Sequence, residues 1–125
     1  MVDPQALLLS YLQSHASLTG VQIVAGRNDP PQGWTPATGQ LVVFKQRGGF
    51  GSFEDDHLLP SFQFKCYGTA EANAYACYQK LRNAVHQQSG GYLKWGEEES
   101  LGQPLYEETG WPFMLTFVNA TLKNV

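Results

Sequence analysis

The chain has 125 residues, 42% of them hydrophobic, which is long enough for one domain with a core and too short for two of ordinary size. Eight Lys and Arg against eleven Asp and Glu leave a net charge of −3, a balance that opposes tight nonspecific binding to nucleic acid phosphates. Cys66 and Cys77 have neither metal-ligand spacing nor the density of a secreted disulfide framework, and no window reaches membrane-spanning length, so a soluble protein of a reducing compartment is expected.

In chain order, Asp3 followed by Pro4 predicts a helix start, because the carboxylate can cap free N–H groups and proline lacks only an N–H that the first turn leaves unpaired. Leu7, Leu8, Tyr11, Leu12 and His15 form its apolar-leaning stripe. Val21 to Val24 reads as a short strand. The stretch from Gly26 to Gly39 holds Pro30, Pro31 and Pro36 with Asn28-Asp29, the composition of an irregular surface connection. Leu41-Val42-Val43-Phe44 then predicts a well-buried strand.

Arg47 to His57 is glycine-rich and reads as a long hairpin tip, with Phe50 and Phe53 as its only apolar anchors. Beyond it, Phe62, Phe64 and Cys66 alternate with Gln63, Lys65 and Tyr67, predicting a strand with one covered face. After Gly68-Thr69 the period lengthens to that of a helix. Thr69 is expected to cap it, Ala70, Ala74, Cys77, Tyr78, Leu81 and Val85 form its stripe, and Gly90-Gly91 are expected to end it. Tyr92 to Trp95 predicts another strand, and Trp111 to Leu122 a last one, central because both of its faces carry apolar side chains. The sum is an α+β fold in the order α-β-β-β-α-β-β, a mainly antiparallel sheet of four to five strands with both helices packed on one face.

Candidate chemistry is sparse. His15, His57 and His86 are widely separated and lack the pairing that directs two imidazoles at one metal. Cys66 lies on the apolar side of its strand, where a thiol is inert. Gly48-Gly49-Phe50-Gly51 precedes a strand and not a helix, so it lacks the N-terminus a phosphate loop needs. Strand alternation sends Glu97 and Glu99 to one side and Glu98 to the other. Eight of the eleven acids fall in two connections, Glu54-Asp55-Asp56 and Glu97-Glu98-Glu99 with Glu107-Glu108, where like charge is tolerable if it faces water or a wide opening.

The strand Phe62 to Gly68, the following helix with Ala72, Ala76 and Leu81, and the late turn Glu108-Thr109-Gly110 before an aromatic strand resemble the tail completion or tail terminator proteins of long-tailed bacteriophages. The resemblance spans nearly the whole chain and implies a single tail-terminator-like domain over residues 1–125. It implies a ring, a hexamer in that family, that caps the head-proximal end of the tail tube, ends its polymerisation and offers a joining surface to the neck. The partners it implies are further copies of the chain, the tail tube protein and a neck or head–tail connector protein, with the location in the virion and, during assembly, the host cytoplasm. Such a role works by geometry, so no catalytic residue, cofactor, metal or membrane is expected, nor enzymatic activity. Within this reading Arg47, Phe50 and Phe53 are expected to contact a neighbouring subunit or the tube. Glu54, Asp55, Asp56, Glu97, Glu98 and Glu99 are expected to line a lumen through which DNA passes without sticking. Two other readings stay open: a different neck or minor tail component such as a head–tail connector, and a small-molecule-binding or catalytic domain with a pocket between helix and sheet near Trp34, Trp95 or Trp111.

Overall fold

The computed structural model describes residues 3–51 and 57–123, with the side chains of 49–51, 57 and 58 excepted. The first helix, α1 (Pro4–Ser14), starts as expected, with the Asp3 carboxylate accepting from the Gln5 N–H at 2.9 Å. Strand β1 (Gln22–Ala25) follows, then β2 (Leu41–Gly51) and β3 (His57–Tyr67), so most of the expected hairpin tip is itself strand. Helix α2 (Glu71–Val85) leads into β4 (Gln88–Gly90), β5 (Leu93–Glu98), β6 (Gln103–Tyr106) and β7 (Pro112–Lys123).

Two expectations for α2 are corrected. Ala70, not Thr69, holds the N-cap position, with no side-chain cap; Asn73 Oδ1 instead accepts from the Thr69 N–H at 3.0 Å, and Ala70 is exposed. The helix ends at Val85 with His86 as C-cap, and Gln87 takes the positive φ of 54°, so Gly90 and Gly91 serve the β4–β5 turn.

The sheet is larger and more mixed than four to five mainly antiparallel strands. Seven strands form one sheet in the order β1-β2-β3-β7-β5-β4, with β6 also paired to β7. β1 runs parallel to β2, because residues 26–40, with only a single 3-10 turn at Pro36–Thr38, cross the sheet and return the chain to the same end, whereas the other pairs are antiparallel. β7 is central, as its doubly apolar pattern requires: β3 lies along one edge, and β6 then β5 lie along the other. Residues 99–102 bulge out where β5 gives way to β6.

Both helices cover the same face. Leu8 and Leu12 of α1 and Cys77, Leu81 and Val85 of α2 meet Phe44, Phe62, Phe64, Cys66 and the even-numbered residues of β7 in the main core. Phe44 and Phe64 stack with centroids 5.1 Å apart. Two glycines set how close α2 can come. A Cβ on Gly68 would sit 2.3 Å from the Ala74 backbone nitrogen, and one on Gly96 would sit 2.3 Å from the Val85 carbonyl oxygen.

The opposite face has a smaller core at one end. Trp34, carried by the proline-rich connection, is 5% exposed and packs edge-on against Tyr67 and Trp111, over Leu41, Val43 and Phe113. The connection therefore acts as a strap anchored by one tryptophan. Trp34 and Trp111 thus lie on the helix-free face, not between helix and sheet as the small-molecule reading expected of them, and Trp95 lies on that same face.

Candidate functional site

Beyond the Trp34 strap, the helix-free face of the sheet continues across β2, β3, β7 and β5, and among the described residues nothing covers it. Odd-numbered residues of β7 point to this side, since their even-numbered neighbours are committed to the helix core. The result is a groove of about 460 Å³ lined by Arg47, Leu59, Ser61, Trp95, Glu97 and Thr121, among others. Leu59 is 39% and Trp95 45% exposed, a large apolar area for a strand pair that faces water.

Arg47 is fixed at the groove's side. Its Nε donates to Ser61 Oγ at 2.9 Å, a terminal nitrogen pairs with the Glu99 carboxylate, and its guanidinium carbon lies 4.2 Å above the Phe117 ring centroid. Three partners hold one side chain flat on the sheet, so Arg47 presents a rigid polar wall and little reach. Glu97 stays exposed beside Trp95. This part of the surface can bind by shape and by hydrogen bonding; among the described residues it offers no nucleophile with a base at its side.

The other side of β5 carries a different arrangement. Glu98 turns into the helix layer, where its side chain is 3% exposed. Tyr78 Oη donates to Glu98 Oε2 at 2.7 Å, Thr116 Oγ1 donates to the same oxygen, and Arg82 Nε donates to Oε1 at 2.9 Å. The Glu98 N–H donates to His86 Nδ1 at 3.0 Å, and Tyr78 Oη accepts from the Gly102 N–H at 2.9 Å. Burial pushes the Tyr78 phenol up to about 12, helped by its bond to the Glu98 carboxylate. Every charge in this network is paired, and its endpoints fix the 99–102 bulge to α2.

The bulge presents Leu101, which is 76% exposed, next to Tyr75 at 44%. With Tyr78, Gln79, Arg82 and Asn83 they border a second hollow of about 360 Å³ on the helix side. A third cluster, at the turn before β7, brings Asp29, Glu107 and Glu108 beside Trp111. There Tyr67 Oη donates to Glu107 at 2.5 Å, and burial together with that bond drives its phenol well above the usual range. Lys65 reaches the same carboxylate at 3.4 Å.

No family model matches the sequence, and no curated protein is detectably similar to it. A solved structure described as the virion of a native gene transfer agent particle contains a chain with the same fold. The TM-score is 0.61 at 16% identity, covering 96% of this chain and 94% of that one. At that identity the likeness establishes a shared fold, over almost the full length of both chains.

Set against the expected site residues, the geometry separates them. Glu97 and Glu99 lie on the helix-free side, as alternation requires, and Glu98 does not belong with them: it is buried and fully bonded inside the protein, so it cannot line an opening. Arg47 folds onto its own sheet. Phe53, Glu54, Asp55 and Asp56 lie outside the described residues, as does the Phe50 side chain. Cys66 is fully buried, and burial beside Cys77 raises its thiol well above the ordinary value. Among the described residues no three His, Cys, Asp or Glu side chains converge in a way that could hold a metal, and no helix is long and apolar enough to cross a membrane. The sequence reading missed the groove and the Leu101 projection. Trp95 on the same alternation as Glu97 signalled the first, and a leucine between Ser100 and Gly102 in a turn signalled the second.

Proposed function

We propose that this chain is a structural virion protein that caps the head-proximal end of a phage-type tail tube as a ring, stops tube growth and provides the surface to which the neck joins. The observation that carries the reading is the fold shared, over nearly all of both chains, with a chain of a gene transfer agent virion. The order of motifs described above agrees with it. So does the surface: two apolar patches on different sides of a small domain suit a subunit whose work is to contact others.

The mechanism is geometric. A ring seated on the last tube ring hides the surface on which the next would add, and its far face presents a different surface to the neck or head–tail connector protein. Of the acids expected at the lumen, Glu99 stays half-exposed on the helix-free side beside Arg47 and would repel phosphate there, whereas Glu97 borders the groove. A different position in the neck is supported equally by the shared fold, because the described particle is a whole virion and not a tail end. Incubating the labelled chain with purified tubes of the same particle distinguishes the two. Label at one end of each tube, with further tube protein no longer adding there, is the expected outcome; label confined to isolated connector assemblies would favour the neck position, and no binding to either would refute a virion role.

A further inference from the structure

The two exposed apolar features lie on opposite layers of the molecule. The groove with Leu59 and Trp95 opens on the helix-free face, and Leu101 projects beside α2 on the helix side. One is concave and the other is a protruding leucine. Their charges also differ: Glu97 and Arg47 line the groove, Arg47 being already paired to Glu99, whereas Arg82, bonded to Glu98 through Nε but with its side chain 39% exposed, stands beside Leu101. Glu99 is already engaged by Arg47, so Glu97 is the groove's outward-facing charge.

We propose that the groove receives the Leu101 projection of a second copy of this chain, with Arg82 of that copy brought to Glu97. A copy docked in this way still exposes its own groove, because the two surfaces are on different layers and cannot both be used in a single two-fold contact. Association is therefore head to tail and continues from copy to copy until rotation closes it. The Glu98 network gives the projection its rigidity: Tyr78 binds both Glu98 and the backbone of Gly102, so the leucine is held out before any partner arrives and little ordering is left for binding to supply. The proposal deepens the ring reading above and rests on it for closure, yet pairwise docking needs no tube.

The test uses the full chain with Leu101→Cys in one preparation and Thr121→Cys, in the groove floor, in another; Cys66 and Cys77 are buried. After mild oxidation the mixture is expected to yield disulfide-linked pairs containing one of each variant, and each variant alone to stay uncrosslinked. A chain carrying both substitutions is expected to give a ladder of multiples. Homodimers from either single variant, or no cross-link up to millimolar chain, would overturn the assignment. Leu101→Arg, at a position 76% exposed and with its fold checked by circular dichroism, is expected to weaken self-association measured by sedimentation at least tenfold; unchanged association would also overturn it. Tube capping measured in parallel separates the two readings. Cross-linking without capping removes the tail role alone, and capping by a chain whose copies do not cross-link removes this interface alone.

Discussion

Replacing Glu98 by alanine tests whether the buried carboxylate holds α2, β5 and β7 together. The substitution removes one acceptor oxygen shared by the Tyr78 and Thr116 hydroxyls and a second that pairs with Arg82. Each buried hydroxyl that loses this acceptor costs about 1–3 kcal/mol, toward the low end for Thr116, which also reaches the Ser100 carbonyl at 3.5 Å, whereas the Arg82 guanidinium is exposed enough to rehydrate at small cost. The expected loss is about 3 kcal/mol, a large share of the roughly 5–15 kcal/mol by which domains are stable. Glu98→Gln should cost less, about 1–2 kcal/mol, because its remaining oxygen still accepts from both hydroxyls and only the Arg82 side gains an unfavourable donor pair. Urea unfolding followed by circular dichroism gives both values from midpoints at unchanged slope. Tyr78→Phe should cost about 1 kcal/mol more in the parent than in the alanine background, since the two side chains share a bond. A Glu98→Ala midpoint within about 0.5 kcal/mol of the parent, or a cycle without coupling, would refute the network as a structural clamp.

Three further outcomes are expected. Gly96→Ala and Gly68→Ala should each cost about 3 kcal/mol or more, because the added methyl meets helix backbone at 2.3 Å, whereas Gly110→Ala, in open space at a φ of 88°, should cost only about 1 kcal/mol; chemical unfolding of the three ranks them. Trp34→Phe should be far milder than Trp34→Ala, by about 2 kcal/mol or more, since the buried indole Nε1 finds no hydrogen-bond partner among the described residues and the ring matters as a packing body; a thermal scan of both is decisive. Stability should fall as pH rises from about 9 toward about 12: unfolded Cys66 ionises first and unfolded Tyr78 near 10, while the folded thiol and phenol keep their protons, so the folded state binds more protons across that window. Tyr67 acts in the same direction, and Tyr78→Phe should flatten the fall measured by urea titration at each pH.

What could be read from residues alone followed their local physics. The Asp3-Pro4 start, the buried β2 run, the alternation of β3 and the doubly apolar β7 are settled by capping chemistry and period, which act within a few residues. The same alternation separated Glu98 from Glu97 and Glu99. It could not show that Glu98 would be buried, because the partners that make burial tolerable, Tyr78, Arg82 and Thr116, are distant in sequence and meet it only after α2 has crossed the sheet. The parallel placement of β1 was hidden for a like reason. A proline-rich connection with no helix looks like a surface loop, and only Trp34 wedged against Tyr67 shows that it straps the sheet. Likewise the short strands β4 and β6 are defined by their pairing with β5 and β7 more than by any pattern of their own. At the candidate site, residue type was legible and partner was not: Arg47 reads as a reaching arm in a glycine-rich hairpin, yet Ser61, Glu99 and Phe117 hold it against its own sheet.

A molecule that acts by covering a tube end sets the length of the tail. The measurement that bears on this role most directly is the length distribution of tails, and the fraction joined to heads, in electron micrographs of particles assembled without this chain. Tails of irregular, extended length left unattached to heads are the predicted result; tails of normal length joined to heads in its absence would contradict the claim.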